Sequence, residues 1–324
     1  MLDNASTALS TASAPVNAGL PTDDEHRIAV RLRPLPDGAW PPAFERGWLT
    51  ATGAHESFIS YAPVECQVNW SAELEELHEH SSRTHFIEVW TRRAMLARVG
   101  TLPVAPTVID VGCSTGYLLA DLRERIPEAT LVGVDLVASG LRKAHRHVPD
   151  ALLVQADVCD LPFDDECVDV VLSANLLEHV PEDVVALGEI YRILCPGGRA
   201  VLVVPVNPDS YDCYDRMLGH ERRYARRELA RKARAVGLQV LQDIYLGAPL
   251  FPAFWAVKQH NRRRYEHLQG EALERKVRSD MERTGDSALG RLACRLEELL
   301  LVGGVRLPFG IRGLCVLQRP GSSA

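Results

Sequence analysis

The sequence predicts an α/β fold: a doubly wound, Rossmann-like sheet of seven mainly parallel strands with one antiparallel edge strand. One observation behind this prediction is that short, continuous apolar runs alternate with helical segments along residues 107–206. Such strands, separated by helices, form parallel sheets that are covered on both faces. The other is the run at 107–111, which leads directly into a turn of small residues, as at the ligand-binding edge of these sheets.

Strands and helices follow one another in a regular order. The strands are predicted at 107–111, 130–135, 151–156, 168–173, 200–206, 238–245 and 311–317. The helices between them are predicted at 117–125, 137–147, 181–194 and 226–236. The strand at 311–317 lies far along the chain from the others, and we expect it to return to the sheet as an edge strand.

Four regions are predicted from changes in composition. Residues 1–25 are rich in Ala, Ser, Thr, Asn and Asp without periodicity, which is typical of a disordered tail. The other regions are an N-terminal arm (26–100) with a helix over 71–98, the sheet domain (101–245 with 309–320) and a helical insertion (246–308). The apolar residues 249–255 of the insertion can form either a lid over a ligand or a packing contact.

Composition and charge exclude several classes of function. The net charge of −7 disfavours a nucleic-acid partner, because phosphate binding needs a basic surface. The longest apolar stretch, 246–257, is too short for a membrane span and is interrupted by Pro249 and Pro252. The N-terminus lacks a basic region followed by an apolar core, and the eight cysteines form no Cys-x-x-Cys pair. We therefore predict a cytoplasmic protein with reduced thiols and no membrane span.

The turn after the strand at 107–111 carries the clearest sign of a ligand. Residues 108–117 read V-I-D-V-G-C-S-T-G-Y, and glycines in such a turn let the backbone come close to a bound molecule. The helix that follows points its N-terminal amides at the turn. Asp135 ends the next strand, where a carboxylate can accept hydrogen bonds from ribose hydroxyls. Asp157 ends the strand after that and can accept one from an exocyclic amine such as that of adenine.

Five motifs in a fixed order extend this pattern. They are D-V-G-C-S-T-G at 110–116, V-D-L at 134–136, A-D-V-C-D-L-P-F at 156–163, N-L-L-E-H-V at 175–180 and L-C-P-G-G at 194–198. Together they resemble the class I S-adenosylmethionine-dependent methyltransferases of the small-molecule type. The resemblance covers residues 105–245 and the final strand, which is about half of the chain.

The resemblance implies S-adenosylmethionine as the cofactor and assigns residues to its parts. Asp110, Gly112 and Gly116 are implied at the methionine end, Asp135 at the ribose and Asp157 at the adenine. The full set of predicted cofactor-binding residues is Asp110, Gly112, Cys113, Ser114, Gly116, Asp135, Leu136, Asp157, Val158 and Asn175. Ser114 stands where the family often has a glycine, and we expect the small serine to be tolerated. Taken singly, each acid could also be a helix cap or a surface residue.

Candidate catalytic residues follow from the chemistry of the transfer. Methyl transfer from a sulfonium is a direct displacement, and a hydroxyl or ammonium acceptor must also lose a proton. The candidate bases are Glu178, His179, His220 and Tyr224. His179 could equally be a helix-start histidine that bonds to the backbone. Arg222 and Arg223 are predicted to bind an anionic acceptor, although such a basic run can also be a solvated helix face.

The motif at 175–179 also bears on metal binding. Some members of the family with E-x-x-E-H at this place bind a divalent metal there. Here Asn175 replaces the first acid, so that Glu178 and His179 are the two remaining ligands. Two ligands make a weak site, and no metal is predicted.

The sequence thus predicts methyl transfer from S-adenosylmethionine to a small-molecule acceptor at oxygen. A saccharide or an anionic metabolite is the acceptor class that the basic segment favours. Two alternatives stay open. A nicotinamide-dependent oxidoreductase would share the strand, turn and acid, but the sequence lacks G-x-G-x-x-G at 112–117. A non-catalytic, S-adenosylmethionine-binding regulatory protein would keep the cofactor acids and lack an acceptor pocket.

Overall fold

The structure is a computed structural model that describes residues 32–35, 38, 43–45, 48–50, 57–61, 79, 83–284 and 287–321. The predicted tail at 1–25 and most of the predicted arm at 26–100 lie outside the described residues. No helix within the described part of the chain combines the length and the apolar character needed to cross a bilayer.

The described strands form a small sheet and a large one. The small sheet pairs β1 (Ala43–Glu45) and β2 (Trp48–Thr50) in antiparallel fashion. The strands of the large sheet are, in chain order, β3 (Ile59–Ser60), β4 (Thr107–Val111), β5 (Thr130–Asp135), β6 (Leu152–Gln155), β7 (Val168–Ala174), β8 (Leu194–Pro205), β9 (Gln239–Leu246) and β10 (Arg312–Gln318).

Helices connect most of these strands. In chain order they are α1 (Phe86–Leu96), α2 (Tyr117–Arg125), α3 (Ala138–His147), α4 (Asp183–Ile193), α5 (Cys213–Met217), α6 (Glu228–Ala235), α7 (Phe251–Arg264), α8 (Gly270–Thr284) and α9 (Ala288–Val302). The alternation of strand and helix from β4 to β8 is the one that the apolar pattern predicts.

The large sheet has eight strands in the order β3-β6-β5-β4-β7-β8-β10-β9. The strands from β3 to β8 run parallel, whereas β10 is antiparallel to both of its neighbours. The α/β class with a mainly parallel sheet is therefore confirmed. Two details differ from the sequence analysis: the two-residue β3 adds an eighth strand, and β10 lies second from the edge, inside β9. A run of apolar residues predicts a buried strand but carries no information on its neighbours.

Chain order reverses at β4, and this reversal positions the site. From β4 the chain moves outward through β5 and β6, and then returns to place β7 on the other side of β4. In open α/β sheets, ligands bind beyond the carboxyl ends of the strands at such a switch point. The residues that follow β4, β5, β6 and β7 therefore surround one position.

Strand β4 is held rigidly because both of its faces are buried. Ile109 packs into an apolar cluster with Leu187 of α4, while Val108 packs into a second cluster with Leu119 of α2 and Leu141 of α3. All five residues of β4 are buried. Burial of each large apolar side chain contributes about 1.5–3 kcal/mol, so the tip of β4 is a firm support for a binding turn.

The helix predicted over 71–98 is interrupted at His85: residues 79, 83 and 84 are helical, His85 is not, and helix α1 follows. It begins at Phe86, and the ring nitrogen Nδ1 of His85 caps it by accepting a hydrogen bond from the backbone N–H of Ile87 at 3.3 Å. A capping side chain that bonds to the first free amides ends the helical hydrogen-bond pattern at that residue. Residues 71–78 and 80–82 of the predicted helix lie outside the described residues.

The segment predicted as a helical insertion contains α7, α8 and α9, between β9 and β10. Two buried contacts attach it to the sheet domain. Nζ of Lys258 lies 2.7 Å from Oδ1 of Asp212, and Glu297 accepts hydrogen bonds from the backbone N–H groups of Gly247 and Ala248 at 2.8 and 2.9 Å. These charged contacts fix α7 and α9 against the residues that follow β8 and β9.

Candidate active site

A cavity of about 790 Å³ lies at the carboxyl ends of β4, β5, β6 and β7. Its walls come from the tips of these strands, from the start of α1, from the segment after β8 and from the insertion. Residues at the strand tips that line it include Gly112, Ser114, Asp135, Leu136, Asp157, Val158 and Asn175. Residues on the opposite side include Glu178, His179, Tyr214, Leu218, His220, Arg223, Phe254, Ile311 and Arg312.

The turn after β4 forms the floor of the cavity. The backbone N–H groups of Gly112 and Cys113 donate to the carbonyl oxygen of Val134 at 2.8 and 3.0 Å, which ties the turn to β5. Gly112 has a φ of +79°, and a Cβ at this position would lie 3.0 Å from Cβ of Leu176. A side chain here would be strained and would narrow the cavity, so the glycine keeps the floor open for a ligand.

Asp135 sits at the tip of β5 and binds two backbone amides. Its Oδ2 accepts from the N–H of Ser114 at 2.8 Å, and its Oδ1 accepts from the N–H of Val137 at 2.8 Å. An ionised carboxylate can accept about four hydrogen bonds. Asp135 lines the cavity, where a carboxylate at the end of this strand can accept hydrogen bonds from the hydroxyls of a ribose.

Asp157 occupies the corresponding position after β6. Its Oδ1 accepts a hydrogen bond from the backbone N–H of Cys159 at 2.8 Å, and its side chain is exposed at the cavity wall. Leu136 and Val158 provide apolar surface on either side. An apolar slot with one carboxylate at its edge suits a flat base that carries an exocyclic amine.

Three residues of the predicted cofactor set lie behind the cavity wall. Asp110 is 2% exposed, and burial, together with the neighbouring Asp135, raises the pKa of its carboxyl to about 8. Cys113 packs in the apolar core. Gly116 begins α2 with a φ of +82°, and a Cβ there would lie 2.8 Å from Cβ of Ala144. These three residues stabilise the turn after β4 and do not line the cavity.

Two residues that are not glycine adopt left-handed backbone conformations at the site. Ser114 has a φ of +45° and Asn175, which follows β7, has a φ of +54°. The N–H of Asn175 donates to the carbonyl of Val203 at 2.9 Å, which holds the residue at the cavity wall. Such conformations cost about 1–3 kcal/mol each and cluster at binding sites. Serine thus occupies a position that geometry would favour for glycine.

The opposite end of the cavity brings together Glu178, His179 and His220, which we name the Glu–His–His cluster. One ligating atom from each lies within 4.8 Å of the others, and the two imidazole rings meet edge to face with centroids 4.7 Å apart. Glu178 is 1% exposed, and its Oε2 has no hydrogen-bond partner among the described residues. Burial raises the pKa of this carboxyl to about 7.

Asp215 orients His220. Nδ1 of His220 lies 2.9 Å from Oδ1 of Asp215, which leaves Nε2 as the nitrogen available for another partner. Asp215 also pairs with Arg223 at 2.8 Å and with Lys258 at 3.0 Å. Burial opposes the charge on Asp215, but the hydrogen bond from His220 and the charges of Lys258 and Arg223 hold its pKa well below the usual range.

The structure separates Arg223 from its two neighbours in sequence. Arg223 lines the cavity, is 8% exposed and stacks over the ring of Phe254 at 5.5 Å. Arg222 points away and pairs with Asp183 at 3.1 Å. Tyr224 is fully buried, and its hydroxyl donates to Asp183 at 2.7 Å. Neither Arg222 nor Tyr224 reaches the cavity, because consecutive side chains of an extended segment point in opposite directions.

Several residues of the acceptor side carry no signal in the local sequence. Phe254 of α7 lines the cavity, and Lys258 of the same helix contacts Asp215 and Phe254 behind the cavity wall. Asp212 and Asp215 form a capping box on α5, in which Asp212 accepts from the N–H of Tyr214 and Asp215 accepts from the N–H of Asp212, both at 3.0 Å. A capping box is visible in a sequence, but it indicates a helix start and no contact with a distant histidine.

Comparisons with known proteins place this chain among methyltransferases. Residues 109–202 match the family described as "Methyltransferase domain". The chain is 36% identical over 118 residues to a demethylmenaquinone methyltransferase of Thermus thermophilus, covering 35% of this chain and 53% of that protein. It is 38% identical over 119 residues to a trans-aconitate 2-methyltransferase of Azoarcus sp., covering 36% and 46%. The chain thus spans about half the length of the curated relatives it matches.

A solved structure shares the fold. The phosphoethanolamine N-methyltransferase 2 of Haemonchus contortus, in complex with S-adenosylmethionine, aligns with a TM-score of 0.52 at 16% identity, over 77% of this chain and 57% of that one. The family match gives no support to a nicotinamide-dependent oxidoreductase. The predicted fold class is confirmed, and residues 109–202 carry a methyltransferase domain, as the five motifs predict.

Proposed function

We propose that this protein transfers the methyl group of S-adenosylmethionine to an oxygen atom of a small, anionic acceptor. One observation carries the proposal: a single cavity joins the glycine turn and Asp135 to the Glu–His–His cluster. The groups that fit the cofactor thus face, across one cavity, groups that can accept a proton. The names of the curated relatives, which include trans-aconitate and demethylmenaquinone methyltransferases, support a small-molecule acceptor.

The residues at the strand tips fit the cofactor. Gly112 keeps the floor open for the methionine part, Asp135 has lone pairs for the ribose, and Asp157 offers an oxygen to the adenine amine. When bound, S-adenosylmethionine supplies a methyl group on a positively charged sulfur. Leu218 and Phe254 give this end of the cavity an apolar wall, and alignment of the acceptor there is the main task of the enzyme.

The Glu–His–His cluster is where the proton of a hydroxyl acceptor can go. Asp215 holds Nδ1 of His220, so that Nε2 can take the proton while the carboxylate stabilises the resulting imidazolium. General bases of this kind contribute roughly 10²–10⁴-fold to a rate. Proton uptake at His220 favours oxygen as the methylated atom, because a hydroxyl is a weak nucleophile until the proton leaves.

Arg223 supports an anionic group on the acceptor. Its guanidinium lines the cavity, and its Nε is buried without a hydrogen-bond partner among the described residues. A buried donor without a partner costs about 1–3 kcal/mol, which a carboxylate or phosphate oxygen would offset on binding. Phe254 and Ile311 add apolar surface beside it, so the acceptor we expect carries both an anionic group and an apolar part.

Binding of S-adenosylhomocysteine tests the cofactor half of the proposal. Calorimetry should show one site per chain in the native protein. Asp135→Ala removes the hydrogen-bond acceptors for the ribose, each worth about 1.5–3 kcal/mol, so affinity should fall by at least roughly 10-fold. Glu128→Ala, which removes an exposed acid on the loop before β5, should leave affinity unchanged. Tight binding of NADH with no binding of S-adenosylhomocysteine would overturn the assignment.

Methyl transfer itself is tested with a small-molecule extract and cofactor that carries an isotopic label in its methyl group. An anionic metabolite should gain the label on a hydroxyl oxygen, as a methyl ether. His220→Gln should lower kcat for that acceptor by at least roughly 10²-fold and leave binding of S-adenosylhomocysteine unaffected. If the cofactor binds and no metabolite gains the label, the protein is a regulatory binder of the cofactor. A label found on nitrogen or carbon would contradict the oxygen assignment.

A further inference from the structure

The Glu–His–His cluster contains three groups that can each give one ligand to a metal ion. Their ligating atoms all lie within 4.8 Å of one another. Glu178 and His179 are adjacent in the sequence, whereas His220 arrives from beyond β8 and α5. Counting ligands along the motif at 175–179 gives two, and the fold adds a third that no local pattern reveals.

Glu178 presents a buried carboxylate to the cavity. Its carboxyl lines the cavity and is 1% exposed, yet Oε2 has no hydrogen-bond partner among the described residues. Buried polar atoms in folded proteins almost always have a partner, and an exception points to a role such as binding an ion. The nearby cations are paired elsewhere: Lys258 with Asp212 and Asp215, and Arg223 with Asp215.

Asp215 gives His220 the support that metal-binding histidines have. Such histidines usually donate the N–H of one ring nitrogen to a carboxylate, which fixes the tautomer and turns the other nitrogen towards the ion. Nδ1 of His220 makes this contact with Oδ1 of Asp215 at 2.9 Å. The partner carboxylate is 1% exposed and braced by Lys258, so the ring of His220 is held in one orientation.

We propose that the Glu–His–His cluster binds one divalent transition-metal ion with the preferences of Zn²⁺. Two imidazole nitrogens and one carboxylate oxygen suit this ion, and three protein ligands leave a fourth position open to a small molecule in the cavity. The ligands of a tetrahedral Zn²⁺ lie at about 2.0–2.1 Å from the ion and therefore roughly 3.4 Å from one another. Side-chain rotations that bring the three ligating atoms closer by about 1 Å would complete the site. The ion would use the ring nitrogen of His220 that the proposed transfer uses as a base, so the ion and the proton exclude each other at this nitrogen. Binding of the ion itself does not depend on methyl transfer.

Zinc alone is the probe in the test. The full chain, freed of metal by a chelator, should bind one Zn²⁺ per molecule in a calorimetric titration. Glu178→Gln, His179→Gln and His220→Gln should each weaken binding at least as much as the roughly 10–100-fold that loss of a supporting contact costs. Asp215→Asn, which removes that supporting contact, should weaken it within this range. His267→Gln removes an exposed histidine of similar size and should leave binding unchanged.

Replacement of Zn²⁺ by Co²⁺ identifies the ligands directly. Visible bands from four-coordinate Co²⁺, without a thiolate charge-transfer band in the near ultraviolet, are expected for nitrogen and oxygen ligands. A thiolate band would assign the ion to cysteines such as Cys159, which also lines the cavity, and would overturn the proposal. So would the absence of stoichiometric Zn²⁺ binding, or an equal loss in His267→Gln. Melting temperatures near that of the native protein show that each variant is folded. If Zn²⁺ binds here and no methyl acceptor is found, the metal site stands and the proposed transfer fails.

Discussion

The two ends of the cavity are built from different kinds of contact. At the cofactor end, backbone amides of short turns bind the carboxylates at the strand tips, as Ser114 and Val137 bind Asp135. At the acceptor end, buried charged side chains from distant segments hold one another, as Lys258 holds Asp215 and Asp215 holds His220. The cofactor end can therefore be encoded in short motifs, whereas the acceptor end depends on the complete packing of the insertion.

The two ends of the cavity should also differ in how much stability a single substitution removes. A turn that is bonded to neighbouring strands loses little when one side chain changes, because most of its hydrogen bonds come from the backbone. A buried ion-pair network leaves an uncompensated charge when one member is removed. The acceptor end should thus be sensitive to single substitutions far from the cavity, and the cofactor end to changes in the turn itself. Four predictions test this comparison.

The largest effect is expected for Lys258→Met. Lys258 is 7% exposed and lies 2.7 Å from Asp212 and 3.0 Å from Asp215. Removal of one partner from a buried pair costs about 3–5 kcal/mol, so the free energy of unfolding in urea should fall by this amount. As a control, Arg275→Met breaks a pair with Glu271 whose side chains are 72% and 87% exposed, and should cost less than about 0.5 kcal/mol. Equal losses of unfolding free energy would show that the contacts of Lys258 with Asp212 and Asp215 do not stabilise the fold.

The next effect separates Arg223 from Arg222. With the acceptor found by isotopic labelling, Arg223→Gln should raise KM by roughly 10–100-fold, because a charge-assisted hydrogen bond contributes about 1.5–3 kcal/mol. Arg222→Gln breaks the pair with Asp183 and a hydrogen bond to the carbonyl oxygen of Pro181, and it should change KM by less than about 2-fold. Arg223→Lys keeps the charge opposite Asp215 and checks that the variant is folded. An equal rise in KM for both glutamine variants would place the anion on the protein surface.

Gly116 and Gly112 provide a matched pair at the cofactor end. Both have a φ near +80°. Alanine at either position should cost about 1–2 kcal/mol of unfolding free energy from backbone strain alone. Gly116→Ala should cost more, since its Cβ would lie 2.8 Å from Cβ of Ala144, whereas Gly112→Ala should weaken binding of S-adenosylhomocysteine the more strongly because it lines the cavity. Calorimetry and urea unfolding of both variants give the comparison; the reverse order would contradict it.

The last prediction concerns the pH dependence set by Asp110. Burial raises the pKa of its carboxyl to about 8, so the folded protein keeps a proton that the unfolded chain releases above about pH 4. Stability from this group is complete below the unfolded pKa and is lost as the pH rises towards 8. Asp110→Asn does not titrate, so its melting temperature relative to the native protein should rise between pH 5 and pH 8, by roughly 2–4 °C for each kcal/mol involved. Differential scanning calorimetry without cofactor measures this difference.

An exposed acid serves as the control for Asp110. Asp150→Asn, on the surface before β6, should keep a constant difference from the native protein across the same range. A constant difference for Asp110→Asn as well would show that this carboxyl is ionised in the folded protein.

Sequence reasoning succeeds at the strand tips for a physical reason. Asp135 and Asp157 follow apolar strands, and the carboxyl ends of parallel strands meet at one edge, so their proximity follows from the fold class. The same reasoning does not tell which neighbours in a motif face the cavity. Asp110, Cys113 and Gly116 belong to the first motif yet lie behind the wall, because their positions depend on how α2 and α3 pack.

The acceptor end shows what sequence reasoning lacks. His220 is a candidate from its residue type, but its orientation comes from Asp215, and that of Asp215 from Lys258 in α7. These contacts join segments whose spacing has no periodic signal. The strand β3 has only two residues, and the place of β10 between β8 and β9 depends on pairing that apolar character does not specify.

The place of β10 has a consequence for how the protein is made. Helices α7, α8 and α9 are synthesised before β10, and β10 then inserts between two strands already present, pairing with β8 along Arg312–Gln318 and with β9 on its other side. Until those residues leave the ribosome, the facing edges of β8 and β9 are unpaired and open to wrong partners. The part of the cavity wall that contains Ile311 and Arg312 is thus completed last. A nascent chain should therefore be able to bind the cofactor before it can bind an acceptor.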